Sequence, residues 1–334
     1  TCLSKKLKSF HLQKEAPKAT ALLLSVEMGK IRVGTCSWTD PTLLGCGRFY
    51  PSSARSAEAR LAYYSSQFDL VEVDSTYYSM PSERVSYLWA QRASDNFLFD
   101  LKAFRLLTHH PTSPSAFPKD INQELAPELQ RKTNLYYRDM PRELRDEVWR
   151  RFERSLLPLD TVAKLGIVLF QFPPWFYPGS QQLDYILLCK EKLPQYRVAI
   201  EFRNNAWLNE KNRKATLQFL RSNDLPFVCV DEPQGFKSSV PPVAETTSDI
   251  GLVRFHGRNS ETWEKRGISA AERFNYLYNE EELKPWAAKI SAMAKETGEM
   301  HVLFNNCHQD KGVVNARQMC FMVSPQTRPQ RAPQ

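Results

Sequence analysis

The feature that most limits how this chain can fold is a regular alternation of two apolar periods. Short runs rich in β-branched and aromatic residues fall at 31–36 (IRVGTC), 69–74 (DLVEVD), 97–102 (FLFDLK), 166–172 (GIVLFQF), 198–203 (VAIEFR), 227–231 (FVCVD), 251–256 (GLVRFH) and 301–305 (HVLFN). Such runs read as strands. Between them the spacing predicts helices near 55–67, 82–93, 141–165, 180–193, 209–223, 281–297 and 312–322. In the helix at 281–297, Leu283, Trp286, Ile290 and Met293 recur at three- and four-residue steps and build one buried face. Pro285 falls in its first turn, where a missing amide is tolerated. Strands separated by helices imply crossover connections and therefore a parallel sheet. Eight such segments in about 290 residues predict an α/β fold of the closed (β/α)8 TIM-barrel kind, because such barrels need ~250 residues plus insertions.

One connection is much longer than the others. Residues 103–165 hold a Pro-rich stretch, HHPTSPSAFPKD, followed by a charged helical stretch, MPRELRDEVWRRFERSL. A long insertion after the third strand is expected to stand over the barrel mouth, where lids and binding loops occur. The domain reading is a single barrel over 31–322 that includes the 103–165 insertion. A basic extension at 1–30 precedes it and a flexible tail at 323–334 follows.

Strand side chains alternate between faces, so the polar residues can be sorted by side. Glu72 and Asp74 share a face in the second strand, and Asp100 and Lys102 do so in the third. The fourth strand places Leu169 with Gln171, the fifth Glu201 with Arg203, and the seventh Arg254 with His256. Asn305 ends the eighth. The opposite faces are apolar and suit contact with outer helices. Barrel interiors are normally layered with branched apolar residues, so charges drawn inside must either pair with one another or serve a site. Their concentration at the carboxyl ends, where barrel active sites lie, favours a working pocket over a purely structural ion network.

Composition excludes other classes. The hydrophobic fraction of 42% and charged fraction of 25% are those of a globular chain, not a disordered one. The formal charge of +8 invites a nucleic-acid or membrane-surface reading, but the excess is at the ends. Residues 1–30 hold six basic and two acidic side chains, and 323–334 hold two basic and none acidic, which leaves 37 basic against 35 acidic between them. No apolar run approaches a membrane span. Seven scattered cysteines without a CxxC pair give neither a disulfide framework nor a zinc ribbon, and a reducing, cytoplasmic location is expected. Lys5, Lys6 and Lys8 ahead of Leu22, Leu23 and Leu24 offer a weak targeting alternative for the N-terminal segment.

The segments GTCSWTD, VEVDSTYY, FDLKAFRLLTHH, FQFPPWF, EFRNNAWL, RFHGRN, RFNYLYNEEELKPWA and FNNCHQDKGVVNA resemble the successive motifs of the YecE-like family of domains of unknown function, DUF72. The resemblance runs in order from about residue 31 to 320 and touches every strand end except the sixth. It implies a TIM barrel, distantly similar in architecture to the xylose-isomerase and endonuclease-four barrels, and it implies no established reaction. The chain departs from the family pattern at Asp74, where Asn is usual, and at Tyr77, where Phe is usual. An added carboxylate beside Glu72 is expected to raise one carboxyl pKa or to require another cation.

Candidate residues follow from these faces. Glu72 and Glu201, with Lys102 and His256, are the expected acid–base groups. Arg254, His256, Gly257, Arg258 and Lys311-Gly312 are placed where loops after strands seven and eight commonly bind phosphate. Arg105, Gln171, Arg203, Asn305, Asn306 and Gly312 complete the expected ligand contacts. Trp38, Tyr77, Tyr78, Trp175, Trp207 and Tyr276 serve as walls first and stacking platforms second. His109, His110, His256 and His308 with Glu72 and Asp231 lack any metal-binding spacing, so neither metal nor cofactor is expected. Cys36 reads as a small buried thiol rather than a nucleophile. These groups predict an enzyme with acid–base or hydrolytic chemistry on a small anionic, phosphorylated or nucleotide-like ligand. A nucleic-acid-binding module without chemistry, using Arg142, Arg145, Arg150, Arg151 and Arg154, is the second reading. A catalytically silent barrel scaffold is the third.

Overall fold

The computed structural model describes residues 28–324, so most of the expected N-terminal extension and nearly all of the C-terminal tail lie outside the described residues. Eight parallel strands follow one another around a single sheet in the order β5-β4-β3-β2-β1-β8-β7-β6. They are β1 (Lys30–Thr35), β2 (Leu70–Val73), β3 (Leu98–Lys102), β4 (Leu165–Gln171), β5 (Arg197–Glu201), β6 (Val228–Asp231), β7 (Ile250–Phe255) and β8 (Glu299–Phe304). The end strands β5 and β6 meet through one bridge, Ile200 to Phe227, and the Ile200 amide donates to the Pro226 carbonyl at 2.9 Å. The sheet thus closes into a (β/α)8-type barrel with one thin seam.

Seven helices of ten residues or more surround it: α1 (Ala57–Gln67), α2 (Glu83–Arg92), α3 (Arg142–Asp160), α4 (Ser180–Lys192), α5 (Arg213–Ser222), α6 (Glu280–Met293) and α7 (Lys311–Val323). The connection from β6 to β7 has none. Each start has a local cause. Ser56 caps α1 by accepting from the Ala59 amide, and Asn279 with Glu282 forms a capping box on α6. The predicted face of α6 is buried as Leu283, Trp286, Ile290 and Met293.

The long third connection divides in two. Helix α3 is the barrel's own outer helix, burying Leu144, Val148, Trp149, Phe152, Leu156 and Leu159 and packing on α2. Only the stretch before it is inserted. That stretch is made of short helical turns whose Phe117, Ile121, Leu125, Leu135 and Met140 join the core, and of its residues His110 reaches the cavity at the mouth.

The interior carries more charge than a layered apolar core. Below the mouth, His301 on β8 faces Asp100 on β3 with Nδ1 2.8 Å from a carboxylate oxygen, both fully buried. Gly166 makes room for this pair, because a Cβ there would collide with the Asp100 carboxylate. It faces inward because Phe99 pairs with Leu165 but Leu101 with Val168, which gives β4 one extra residue and resets its alternation.

Candidate functional site

The floor of the barrel mouth is a buried charge cluster centred on Arg254. Its guanidinium donates to Glu72 at 2.6 Å and to Glu201, with Cys36 Sγ at 3.6 Å. Glu201 also accepts from Gln171, from His256 Nε2 at 3.0 Å and from Arg203 at 3.4 Å. Asn305 donates to His256 Nδ1 at 2.9 Å, which leaves the proton on Nε2 and makes the imidazole a neutral donor to Glu201. Burial holds His256 down to about 3 despite the carboxylate beside it.

The two glutamates are pushed in opposite directions. Burial raises Glu72 to about 7; Arg254 and Lys102 oppose the rise and Asp74 adds to it. One Glu72 oxygen, Oε2, has no hydrogen-bond partner among the described residues. Burial also works against the charge on Glu201, but Arg254, His256 and Arg203 outweigh it and hold that carboxyl well below its usual range. Lys102 is likewise disfavoured by burial, yet Asp74 at 2.8 Å keeps its pKa above the ordinary value.

Above this floor opens a cavity of about 570 Å³. Of the residues predicted from sequence, Tyr77, Tyr78, Lys102, Gln171, Arg203 and Asn305 line it, joined by Cys36, Asp74 and His110. Glu72, Glu201, Arg254 and His256 lie buried beneath. Arg105 flanks it, its guanidinium 5.3 Å from the Tyr77 ring centre. Burial and the cations Lys102, Arg105 and Arg203 push His110 down to about 3, so the mouth's wall carries no imidazolium near neutrality.

Other predicted contacts lie elsewhere. Trp38 is buried edge-on to Trp89, and Trp207 is stacked between Phe202 and Phe176 with its indole N–H on the Phe176 carbonyl. Arg258 is tied to Asp231 at 2.7 Å on the outer flank, where Trp286 and Tyr278 bind the same carboxylate. Asn306 bonds the Tyr276 carbonyl and Asn315, with Gly312 buried against it. The expected phosphate loop is similarly engaged: the Gly257 amide donates to Tyr278 and Lys311 to Asn275. The four histidines are dispersed, and among the described residues no three His, Cys, Asp or Glu side chains are placed to hold a metal ion. The six described cysteines are free thiols, and burial pushes Cys36 well above the usual thiol range.

Sequence reasoning missed the roof. Ile268, Ala270, Arg273 and Phe274, from the segment after β7, cover the cavity. No periodicity marks that segment. It also missed Glu232, fully buried at 3.5 Å from Arg203 and raised to about 7 by burial. Its place one residue past β6, on the alternate face from Asp231, was a legible signal.

A family model described as "Protein of unknown function DUF72" matches residues 32–334. The chain belongs to the DUF72 family. It is 30% identical over 297 residues to the UPF0759 protein YunF of Bacillus subtilis, an alignment covering 88% of this chain and 94% of that one. A DUF72 family crystal structure from Enterococcus faecalis superposes with a TM-score of 0.70 at 27% identity, covering 88% and 96% of the two chains. One from Thermotoga maritima does so with a TM-score of 0.69 at 29% identity, covering 89% and 100%. The DUF72 barrel is thus shared along its length. Among the described residues no helix is long and apolar enough to cross a membrane.

Proposed function

We propose that this DUF72 barrel is an enzyme that binds a small anionic ligand, phosphorylated or nucleotide-like, at the carboxyl end of its strands and acts on it by acid–base chemistry. The observation that carries the reading is the pair Arg203 and Arg273 on the cavity wall. Arg273 donates to the backbone carbonyls of Thr262, Trp263 and Lys265 and to no described carboxylate. Burial, and then the charge of Arg203, lowers its pKa. Two like charges held together favour an anion between them, and guanidinium groups suit phosphate or carboxylate oxygens. Lys102 adds a third cation. A carboxyl poised near 7 beside one held ionised is the division that acid–base catalysis uses, which supports Glu72 as proton carrier and Glu201 as fixed charge.

The test is calorimetric titration with ribose 5-phosphate and inorganic phosphate, followed by an activity screen over phosphorylated metabolites and nucleic-acid fragments. Arg273→Gln is expected to weaken binding at least tenfold. Glu72→Gln is expected to abolish turnover while leaving binding within about twofold, and to remove any pH limb near 7. Binding unchanged in Arg273→Gln, or no anion bound by the parent, overturns the reading.

A further inference from the structure

A second cavity, of about 550 Å³, lies on the far side of Trp175 from the mouth. The inserted segment supplies His109, Tyr136, Tyr137 and Arg138 to its wall, the first turns of α3 supply Arg145, and the loop after β4 supplies Trp175. Its charge is one-sided. Along α3 the other arginines reach acids: Arg142 to Asp146, Arg150 and Arg151 to Glu147, and Arg154 to Glu83. Arg145 is half-buried and its side chain makes no hydrogen bond or ion pair among the described residues; its guanidinium lies 5.1 Å from the Tyr137 ring centre. Arg138 lies 5.9 Å from the Tyr136 ring centre, also without a described acid. No carboxylate lines the cavity among the described residues. A guanidinium placed over an aromatic ring and paired with no acid keeps N–H donors free, and those donors fit an anion.

The rest of the lining is flat and apolar. Trp175 is 51% exposed and Tyr136 38%, and both line the cavity. Tyr137 is fixed by the Trp149 indole N–H at 3.0 Å, and His109 stacks on it with centroids 5.5 Å apart. His109 Nε2 is buried without a partner. Gln181 and Gln182 present their amides from the first turn of α4, which carries no acid and no side-chain cap. A pocket of aromatic faces with a few convergent polar donors selects a planar ligand and orients it by its charge.

We propose that this cavity is a second binding site, for a planar aromatic ring bearing an anionic group. The ring packs on Trp175 and Tyr136, and the phosphate or carboxylate is held by Arg145 and Arg138. The site shares none of the mouth's cations, so it stands apart from the function proposed above.

The probes are AMP and 4-hydroxybenzoate, with ribose 5-phosphate and adenosine as the separate halves of AMP. Saturation-transfer NMR and calorimetry are run in an Arg273→Gln background, which weakens the mouth's own anion binding, alone and with Arg145→Gln, Arg138→Gln or Trp175→Ala added. At least one ring-bearing anion is expected to bind, with strong saturation of its ring protons. Its Kd should rise tenfold or more when Arg145→Gln or Trp175→Ala is added to that background. Arg138→Gln should weaken binding in the same direction, which guards against a local packing defect in Arg145→Gln. Absence of binding by both ring-bearing probes overturns the proposal. So does ribose 5-phosphate or adenosine matching AMP in that background, or a Kd left unchanged when Arg145→Gln is added.

Discussion

Two glutamates that face the same arginine and are equally buried shift in opposite directions. Glu72 has Arg254 and one unpartnered oxygen, so desolvation prevails and it titrates near 7. Glu201 gathers Arg254, His256, Gln171 and Arg203, and four donors outweigh the same desolvation. At the next layer down, burial disfavours the His301 imidazolium, but Asp100 and Glu299 raise it to about 9. That is above an unfolded histidine near 6.5. A raised histidine adds stability that is complete below about pH 6.5 and is lost as pH climbs through about 9, an effect on the order of 3 kcal/mol. Denaturant melts at pH 6 and pH 9.5 should therefore show the parent losing stability with rising pH and His301→Gln losing much less. Equal losses in both would remove the charged pair as the cause.

At the scale of elements, helix α3 and the insertion before it separate by their physics. The helix is legible because Leu144, Val148, Phe152 and Leu156 recur at four-residue steps on one buried face. Phe152→Ala should cost about 3–5 kcal/mol in an unfolding titration, as large-to-small changes in a packed core do. Arg150→Ala, mostly exposed, should stay within about 0.5 kcal/mol. The inserted turns follow no period, and their position on the flank is set by where Phe117, Ile121 and Leu135 find apolar cover. Strand β4 shows the limit of simple alternation: its extra residue turns both Gly166 and Leu169 inward, which a strict period of two forbids. Gly166→Ala should lower stability by roughly 1–3 kcal/mol through overpacking against Asp100, measurable as a lower melting temperature.

For the whole molecule, closure is uneven. The β1–β8 ladder pairs six residues on each strand, whereas β5 and β6 share one bridge. Local opening follows the density of such contacts, so amides along the β5–β6 seam should exchange with solvent roughly 10-fold faster than those of the β1–β8 ladder. Uniform protection around the barrel in hydrogen-exchange mass spectrometry would show the seam to be sealed by side-chain packing alone. The paired arginines on α3 also change the weight of the charge pattern. Most are neutralised along the helix itself, which leaves Arg145 as the arginine of α3 with no acid partner among the described residues.

The sequence by itself determined the eight strands, the barrel class and the set of polar residues that turn inward, because hydrophobic periodicity is local and each strand reports its own two faces. Which of those residues meet was decided only by the tertiary structure. Glu72 and Arg254 are far apart in the chain, and it is the curvature and stagger of a closed sheet that set them 2.6 Å apart. The same closure took Arg258, Trp207 and Asn306 out of the mouth and brought Arg273 over it, since loop positions follow from packing and carry no period of their own.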